Sequence, residues 1–394
     1  VDNLLIKTSK IDGKPLKKRG LEWMVTGENH DYIADAFVKV SKSEADNLYQ
    51  ATESLQALAY RAMQSILREN LWKEAGIPKN ARKLVEYSLH YEYGQHLISR
   101  LDFAGGFNGV PLKLLEFNAD TCTLIPESEY IQSEHYIQNK KQLYNPPQCH
   151  VLDGLVEQFK YIISQHPNKT KSILISTLGY HEDWANADVI AEAAKKAGFE
   201  VVQSMVLDKV IFSPDEGIFI EISEDYFEQF DFWFKLIPWE FISDEEPELM
   251  DILTEIVTKN LAVVMNPAYT MLMQSKAIMK VMYDLDPYNP YLLETTYDKN
   301  SFATGQFVKK PIFGRLGENI TYVDVPNDTY YDTQGDYGDY RMIYQAMAKF
   351  NIDNEDYRYQ PSVFWTGKST GLTFRRQDDY IIDDDAEYIG HTIQ

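Results

Sequence analysis

The sequence predicts an α/β fold of the α+β kind, with mixed and antiparallel sheets and a small α/β unit inserted near residues 170–240. Three observations lead there. A stretch rich in Ala, Leu, Glu, Lys and Met, free of Pro and Gly, occupies 43–75. A strand–helix–strand pattern follows at 172–206, and short strands with intervening turn formers recur towards the C-terminus. There is no G-x-G-x-x-G turn, so a simple doubly wound sheet is not expected.

Taken in order, 43–75 reads as helix. Ser43 is placed at its cap, with Glu44 and Asp46 in the first turn and Gly76 and Pro78 as stop signals. Residues 88–100 read as a second helix running into a strand, and 97–120 as a β-hairpin. The run SILIST at 172–177 is a short apolar strand. Residues 188–197 form a helix closed by Gly198, and strand resumes at 200–206. Another helix is expected at 247–259, with Pro247 suited to its first position, then a strand at 262–265. Later strands are read at 307–312, 342–346, 360–365 and 372–374. Residues 324–340 are polar, acidic and rich in turn formers, which predicts a mobile loop.

Composition limits the function classes. With 394 residues, 44% hydrophobic and 13% aromatic, the chain can bury a sizeable core and is not disordered. No apolar run approaches the roughly 20 residues that span a bilayer, so a soluble protein without a membrane partner is expected. The opening Val1-Asp2-Asn3 lacks the basic-then-apolar pattern of a secretory leader. Two cysteines, Cys122 and Cys149, give neither a disulfide framework nor a zinc spacing, which fits a reducing, cytoplasmic setting. A formal charge of −22 argues against nucleic acid, whose phosphates it would repel. The same charge would steer a cationic substrate inward, or it serves only to keep the protein in solution.

The stretch from Arg100 to Asp120 is the most informative. Alternate strand residues share a face, so Arg100 and Asp102 point together, as do Glu116 and Asn118. A hairpin centred on Gly109 sets Asp102 opposite Glu116 and Arg100 opposite Asn118. Leu101 then faces Phe117, and Phe103 faces Leu115, on the other side. One face is apolar and the other polar. A two-residue Asn108-Gly109 turn would mix the faces, so the connection is expected to be odd in length. Two carboxylates and an amide oxygen on one face suit Mg²⁺ with phosphate oxygens completing its shell. A solvated sheet face, on which Arg100 and Asp102 simply pair with neighbours, is the commoner explanation of such spacing taken alone.

At this point the residues resemble a known family. SRLDFAGG and LKLLEFNADTCT are similar to the Arg-x-Asp…Glu-x-Asn-Ala-Asp signature of the glutathionylspermidine synthetase family, within the ATP-grasp superfamily. HEDW (181–184), LIPWE (236–240), SKAIM (275–279), NPYLLET (289–295), KPIFGRLGENI (310–320), IYQA (343–346) and GLTFRR (371–376) follow in the same order. The resemblance implies an ATP-grasp fold and a carboxylate–amine ligase using ATP and Mg²⁺, with two ions. It implies a helical region at 1–90, a metal- and substrate-binding hairpin region at 91–170, a small α/β substrate domain at 171–260 and a nucleotide-binding region at 261–394. Asp102, Glu116 and Asn118 would hold the metal, and Arg100 would contact the carboxylate or its phosphorylated form. Thr121 and Thr123 stand where the family has serines near a thiol-peptide substrate. Glu182 and Asp183 resemble acids that bind the amine's ammonium, although acids also favour a helix N-terminus.

Lys276 and Lys310 would be nucleotide lysines. Gly314 and Gly317 would let loop amides approach phosphate, although a plain turn explains such a loop too. Gln345 and Met347 would line an adenine pocket, with a core strand as the other reading. Arg375 rather than its neighbour Arg376 would stabilise the transferring phosphoryl group; an ordinary surface ion pair is the alternative for either. Cys122 has no activating His nearby and reads as a buried, inert thiol.

The implied substrates are a peptide-like acid such as glutathione and an amine such as spermidine. Bifunctional members carry an N-terminal Cys–His amidase domain, whereas the first 80 residues here hold one His, His30, and no Cys. This reads as a stand-alone synthetase. A non-catalytic ATP- or polyamine-binding protein is the rival. Metal-dependent hydrolysis is disfavoured because no His accompanies the carboxylates.

Overall fold

The computed structural model describes residues 4–394. Val1-Asp2-Asn3, on which the reading of a leader rests, lie outside the described residues.

The largest sheet has eight strands and sets the hairpin against the C-terminal segments. Its path runs Leu5–Lys7, Ile33–Val40, Glu387–Ile393, Ser369–Gln377, Arg358–Trp365, Ser99–Ala104 and Lys113–Asn118, with Asn351–Ile352 paired beside Arg358–Trp365. Ile33–Val40 and Glu387–Ile393 run parallel, and the other pairings are antiparallel. Residues 1–90 are therefore not only helical, since Leu5–Lys7 and Ile33–Val40 form one side of this sheet.

The helix Lys42–Arg68 covers one face of the sheet, burying Leu48, Leu55 and Ala59 in one core with Leu101, Phe103, Val363, Leu372 and Phe374. Its cap is Ser41, not Ser43. The Glu44 amide donates to Ser41 Oγ at 3.2 Å, and the Glu44 carboxylate accepts from the Ser41 amide at 2.8 Å. This reciprocal capping box satisfies donors that Ser43, two residues later and already inside the helix, cannot reach. The helix also ends short of 75, where Asn70 adopts a left-handed φ of 56°. The second helix is Arg82–Tyr91, earlier than expected. A short 3-10 turn, Tyr93–Gln95, separates it from the strand at Ser99.

The strand–helix–strand reading is realised as a four-stranded parallel sheet ordered Val263–Met265, Phe232–Lys235, Ser172–Thr177 and Val201–Val206. Helix His181–Ala197 begins earlier than 188 and ends at Gly198, whose φ of 104° only glycine accepts readily. The helix Pro247–Thr258 starts on Pro247 as expected.

A five-stranded antiparallel sheet carries Thr295–Thr296, Met342–Gln345, Gln306–Pro311, Thr321–Asp324 and Thr329–Asp332. The last strand corrects the mobile-loop expectation for 324–340. Thr329, Tyr330 and Tyr331 are strong strand formers and pair back onto Thr321–Asp324 despite the acidic flanks. Val210–Ser213, Gly217–Ser223 and Tyr226–Phe230 make a small fourth sheet, antiparallel throughout. Among the described residues, no helix is long and apolar enough to cross a membrane.

Candidate active site

The hairpin strands are Ser99–Ala104 and Lys113–Asn118. Asp102 pairs with Glu116, Arg100 with Asn118 and Leu101 with Phe117, as the alternation of apolar and polar residues requires. Beyond Asp102 the register slips, and Phe103 meets Leu114 rather than Leu115. The connection therefore departs from the expected odd length. Its tip is the Asn108-Gly109 turn, with φ of 48° and 77°, closed by the Val110 amide donating to Phe107 O at 3.1 Å. A bulge at Leu115 absorbs the odd residue instead. Leu114 thereby takes the core position at 1% exposure, while Leu115 turns out to line a cavity.

The cavity holds about 830 Å³, and most of the residues singled out in the sequence meet in it. Arg100, Glu116, Asn118, Thr121, Thr123, Glu182, Asp183, Lys276, Lys310, Gly314, Gly317, Gln345 and Arg375 all line it. Met347 does not. Ala346, Ala348 and Phe350 take that part of the wall, because the extended chain after Gln345 alternates sides. Asp102 lies just behind the wall, fully buried. Its carboxylate accepts from Arg100 Nε at 2.7 Å, Arg100 NH2 at 2.9 Å and Asn118 Nδ2 at 2.9 Å. Arg100 NH1 continues to Thr123 O at 2.9 Å. In this state Asp102 is the partner of Arg100, so its charge is already matched.

Glu116 is matched from the other side. Lys276 Nζ lies 3.0 Å from Glu116 Oε2 and donates to Gly314 O at 2.8 Å. Burial alone would raise the Glu116 carboxyl, but Lys276 and Lys310 outweigh it and hold the group down to about 2. Lys310 Nζ donates to Gln345 Oε1 at 2.9 Å and Leu115 O at 3.3 Å. Burial pushes its ammonium down to about 8, against the pull of Glu116.

Arg375 reaches the cavity through sheet geometry. It pairs with Gln360, which shares a face with Ser362, and Ser362 pairs with Asp102. Its guanidinium donates to Asp383 O at 3.1 Å and Gln360 Oε1 at 3.4 Å, and its buried Nε has no partner. Burial and the neighbouring Arg100 push its pKa down. Arg376 points the other way, donating from Nε to Glu387 Oε2 at 2.8 Å and lying over the Tyr357 ring.

The acids Glu182 and Asp183 occupy the first turn of His181–Ala197, so helix-end placement and cavity lining hold together. Burial, then Glu182, pushes Asp183 up to about 6. Cys122 is 2% exposed and burial lifts its thiol to about 12, as an inert thiol requires.

Other lining residues escaped the sequence reading. Trp23 and His181 both line the cavity and stack with centroids 4.1 Å apart. Arg315 donates to Glu240 Oε1 at 2.5 Å from within the glycine-bearing loop. Nothing in the local pattern around Trp23 could have placed it there, since its neighbour is more than 150 positions away. Arg315, by contrast, stood inside a motif that drew attention only to its lysine and glycines.

The donor set suits Mg²⁺. Among the described residues no three His, Cys, Asp or Glu side chains converge as a protein-only metal site. Glu116 and Asn118 nevertheless present a carboxylate and an amide oxygen to the cavity. One or two such hard ligands, completed by phosphate oxygens, are what Mg²⁺ takes at a nucleotide site.

The family model described as glutathionylspermidine synthase preATP-grasp matches residues 4–394. The chain belongs to this family. A protein of Haemophilus influenzae named as an acid–amine ligase is 23% identical over 372 residues, covering 92% of this chain and 91% of its own. The bifunctional glutathionylspermidine synthetase/amidase of Escherichia coli is 25% identical over 412 aligned positions, covering 95% of this chain but 64% of its own length. A glutathione synthetase-like effector of Globodera pallida, solved in its apo form, superposes with a TM-score of 0.57 at 10% identity, covering 91% of this chain and 89% of its own. That likeness shows the fold. The family and its relatives make the chain an ATP-dependent C–N ligase.

Proposed function

We propose that this chain joins a peptide-like carboxylate to an amine, consuming ATP through an acyl phosphate. One observation carries the reading. Lys310 is a buried cation at the cavity wall and Arg375 a half-buried one whose Nε is shut from solvent without a partner, and neither has a carboxylate in direct contact among the described residues. A chain of net charge −22 had acids to spare for them. Uncompensated buried cations are costly unless an anion arrives, and a nucleotide triphosphate with a carboxylate substrate supplies one.

The chemistry follows from the positions. Glu116 and Asn118, with Asp102 behind them, would hold Mg²⁺, which when bound neutralises phosphate charge. Arg100, fixed by Asp102, orients the substrate carboxylate towards the terminal phosphoryl group. Arg375 stabilises charge on that group as it moves, and Lys276 and Lys310 hold the remaining phosphates. Phosphorylation turns a carboxylate oxygen into a leaving group, and the amine displaces phosphate through a tetrahedral intermediate. Glu182 and Asp183 hold the amine by its ammonium. The loop carrying Gly314 and Gly317 covers the site, keeping water from the acyl phosphate. Glutathione is the acid proposed and spermidine the amine, with Thr121 and Thr123 facing the acid.

The test is ADP release measured with acids and amines offered singly and together. ADP is expected only with both, and Glu116→Gln should abolish it. Undiminished turnover by Glu116→Gln, or nucleotide binding with no acid–amine pair ever turned over, would sink the ligase reading for this cavity.

A further inference from the structure

We infer that Lys276 acts as an internal cation that occupies the metal ligand Glu116 and pins the glycine-bearing loop until a nucleotide draws it away. The inference rests on the proposed site but concerns its empty state.

Lys276 stands at the junction of three parts of the site. Its backbone amide donates to Ile312 O at 2.7 Å. Its ammonium bridges Glu116 Oε2, on the hairpin, and Gly314 O, on the loop. The Lys276 side chain is 5% exposed, so no water shell stabilises it there. Glu116 and Gly314 are therefore its counter-charge and its dipole. An ammonium so buried leaves such partners only for a better anion. Phosphate oxygens entering the cavity are that anion.

Two consequences are linked. While Lys276 holds Glu116, a divalent cation meets a carboxylate already neutralised, and the second carboxylate, Asp102, is held by Arg100. The empty site therefore binds metal weakly. When Lys276 turns to phosphate, Glu116 becomes available and the Gly314 carbonyl is released in the same movement. Metal affinity and loop mobility rise together, and by linkage the metal strengthens nucleotide binding by the same factor. Lys276 is thus a positioning residue for metal and loop, in addition to any contact it makes with nucleotide.

The experiment uses the intact, nucleotide-free protein and Mn²⁺ as a paramagnetic probe. Lys276→Met should tighten Mn²⁺ binding by about tenfold or more, the effect of freeing a partly buried carboxylate from a buried cation. Lys280→Met removes the same charge one turn along the helix Ala277–Leu285, from an ion pair with Asp284. It should leave the affinity unchanged. Lys276→Met should also speed proteolytic cleavage at 314–318, where Leu316 is exposed, with circular dichroism confirming that the variant is folded.

Equal Mn²⁺ affinity in wild type and Lys276→Met overturns the inference, as does an equal gain in Lys280→Met. Tightening that survives in Lys276→Met/Glu116→Gln overturns it too, because the ion would then be bound elsewhere. None of these outcomes depends on turnover, so a failed ligase assay and a failed latch are separate results.

Discussion

At the scale of single residues, adjacent arginines on one strand make a sharp comparison. Arg375 points into the cavity and Arg376 lies against Glu387 and Tyr357 on the opposite face. Arg375→Lys keeps the charge but loses the planar fork, and kcat should fall by about a hundredfold or more. Arg376→Lys should stay within about threefold, because its partners are remote from the cavity. Steady-state ADP release reads both, and equal losses would show that the pair acts only through folding. Strand alternation showed in advance that only one of the two could enter the site, and the family resemblance pointed to Arg375, but the charge balance was not legible. That Arg100 is matched by Asp102 while Arg375 has no acid depends on partners from four distant segments. Lys310 gives a pH prediction of the same kind. Its ammonium persists below about 8 and is lost above it, so ADP affinity should weaken as pH rises through 8. Lys310→Arg, which cannot lose its proton, should flatten that fall in a binding titration. Because folding lowers this pKa, burial of Lys310 costs stability at neutral pH. That cost is relieved as pH rises from about 8 towards the usual 10.5.

At the scale of elements, the hairpin shows where pattern reading succeeds and where it stops. Its lower register was dictated by which residues are apolar, so Asp102–Glu116 and Arg100–Asn118 could be paired in advance. The bulge at Leu115 could not, because alternation cannot signal one surplus residue until the tip's geometry is known. The tip is demanding. Gly105 has φ of 72°, and a Cβ there would come 2.1 Å from Pro111 O. Gly109 has φ of 77° with open space around it. Gly109→Ala should therefore cost about 1 kcal/mol, the expense of a left-handed φ alone. Gly105→Ala should cost about 3 kcal/mol or more, since backbone must move as well. Urea denaturation of the two variants checks this, and equal midpoints would refute the close approach. The helix cap behaves similarly. Ser41→Ala should lose about 1 kcal/mol, whereas Ser43→Ala, at the position suggested by local pattern, should lose less. The capping Glu44 also accepts from the Asn108 amide at 2.6 Å, so helix start and hairpin tip share one side chain. Only the folded chain shows that dependence.

At the scale of the whole molecule, the parallel sheet must be held to the hairpin for Glu182 and Asp183 to line one cavity with Glu116. The link is a buried polar cluster just past the hairpin's second strand. Asp120 and Lys235 are both fully buried, with Lys235 Nζ 2.9 Å from Asp120 Oδ1. Asp120 also accepts from the Trp239 amide at 2.8 Å and from Thr270 Oγ1 at 3.3 Å. Asn266 completes the link, its Oδ1 accepting from the Leu97 amide at 2.7 Å and its Nδ2 donating to Asp120 O at 2.9 Å. The sequence displayed Asp120 as the last letter of the metal motif, which drew attention to chemistry. Its structural partners lie more than 100 residues on and carry no local pattern. Asp120 is not among the cavity-lining residues, so its contribution should appear in stability. Asp120→Asn keeps the shape but leaves the Lys235 ammonium buried without its carboxylate, a loss of about 3–5 kcal/mol. Lys235→Met in that background removes the stranded charge and should recover a substantial part, because an apolar replacement for a buried pair is tolerated far better than half of one. Thermal melts of the single and double variants decide the matter. If the double variant is no more stable than Asp120→Asn, the pair is not the joint, and the two sheets are held by apolar packing across Trp233, Trp239 and Tyr269 instead.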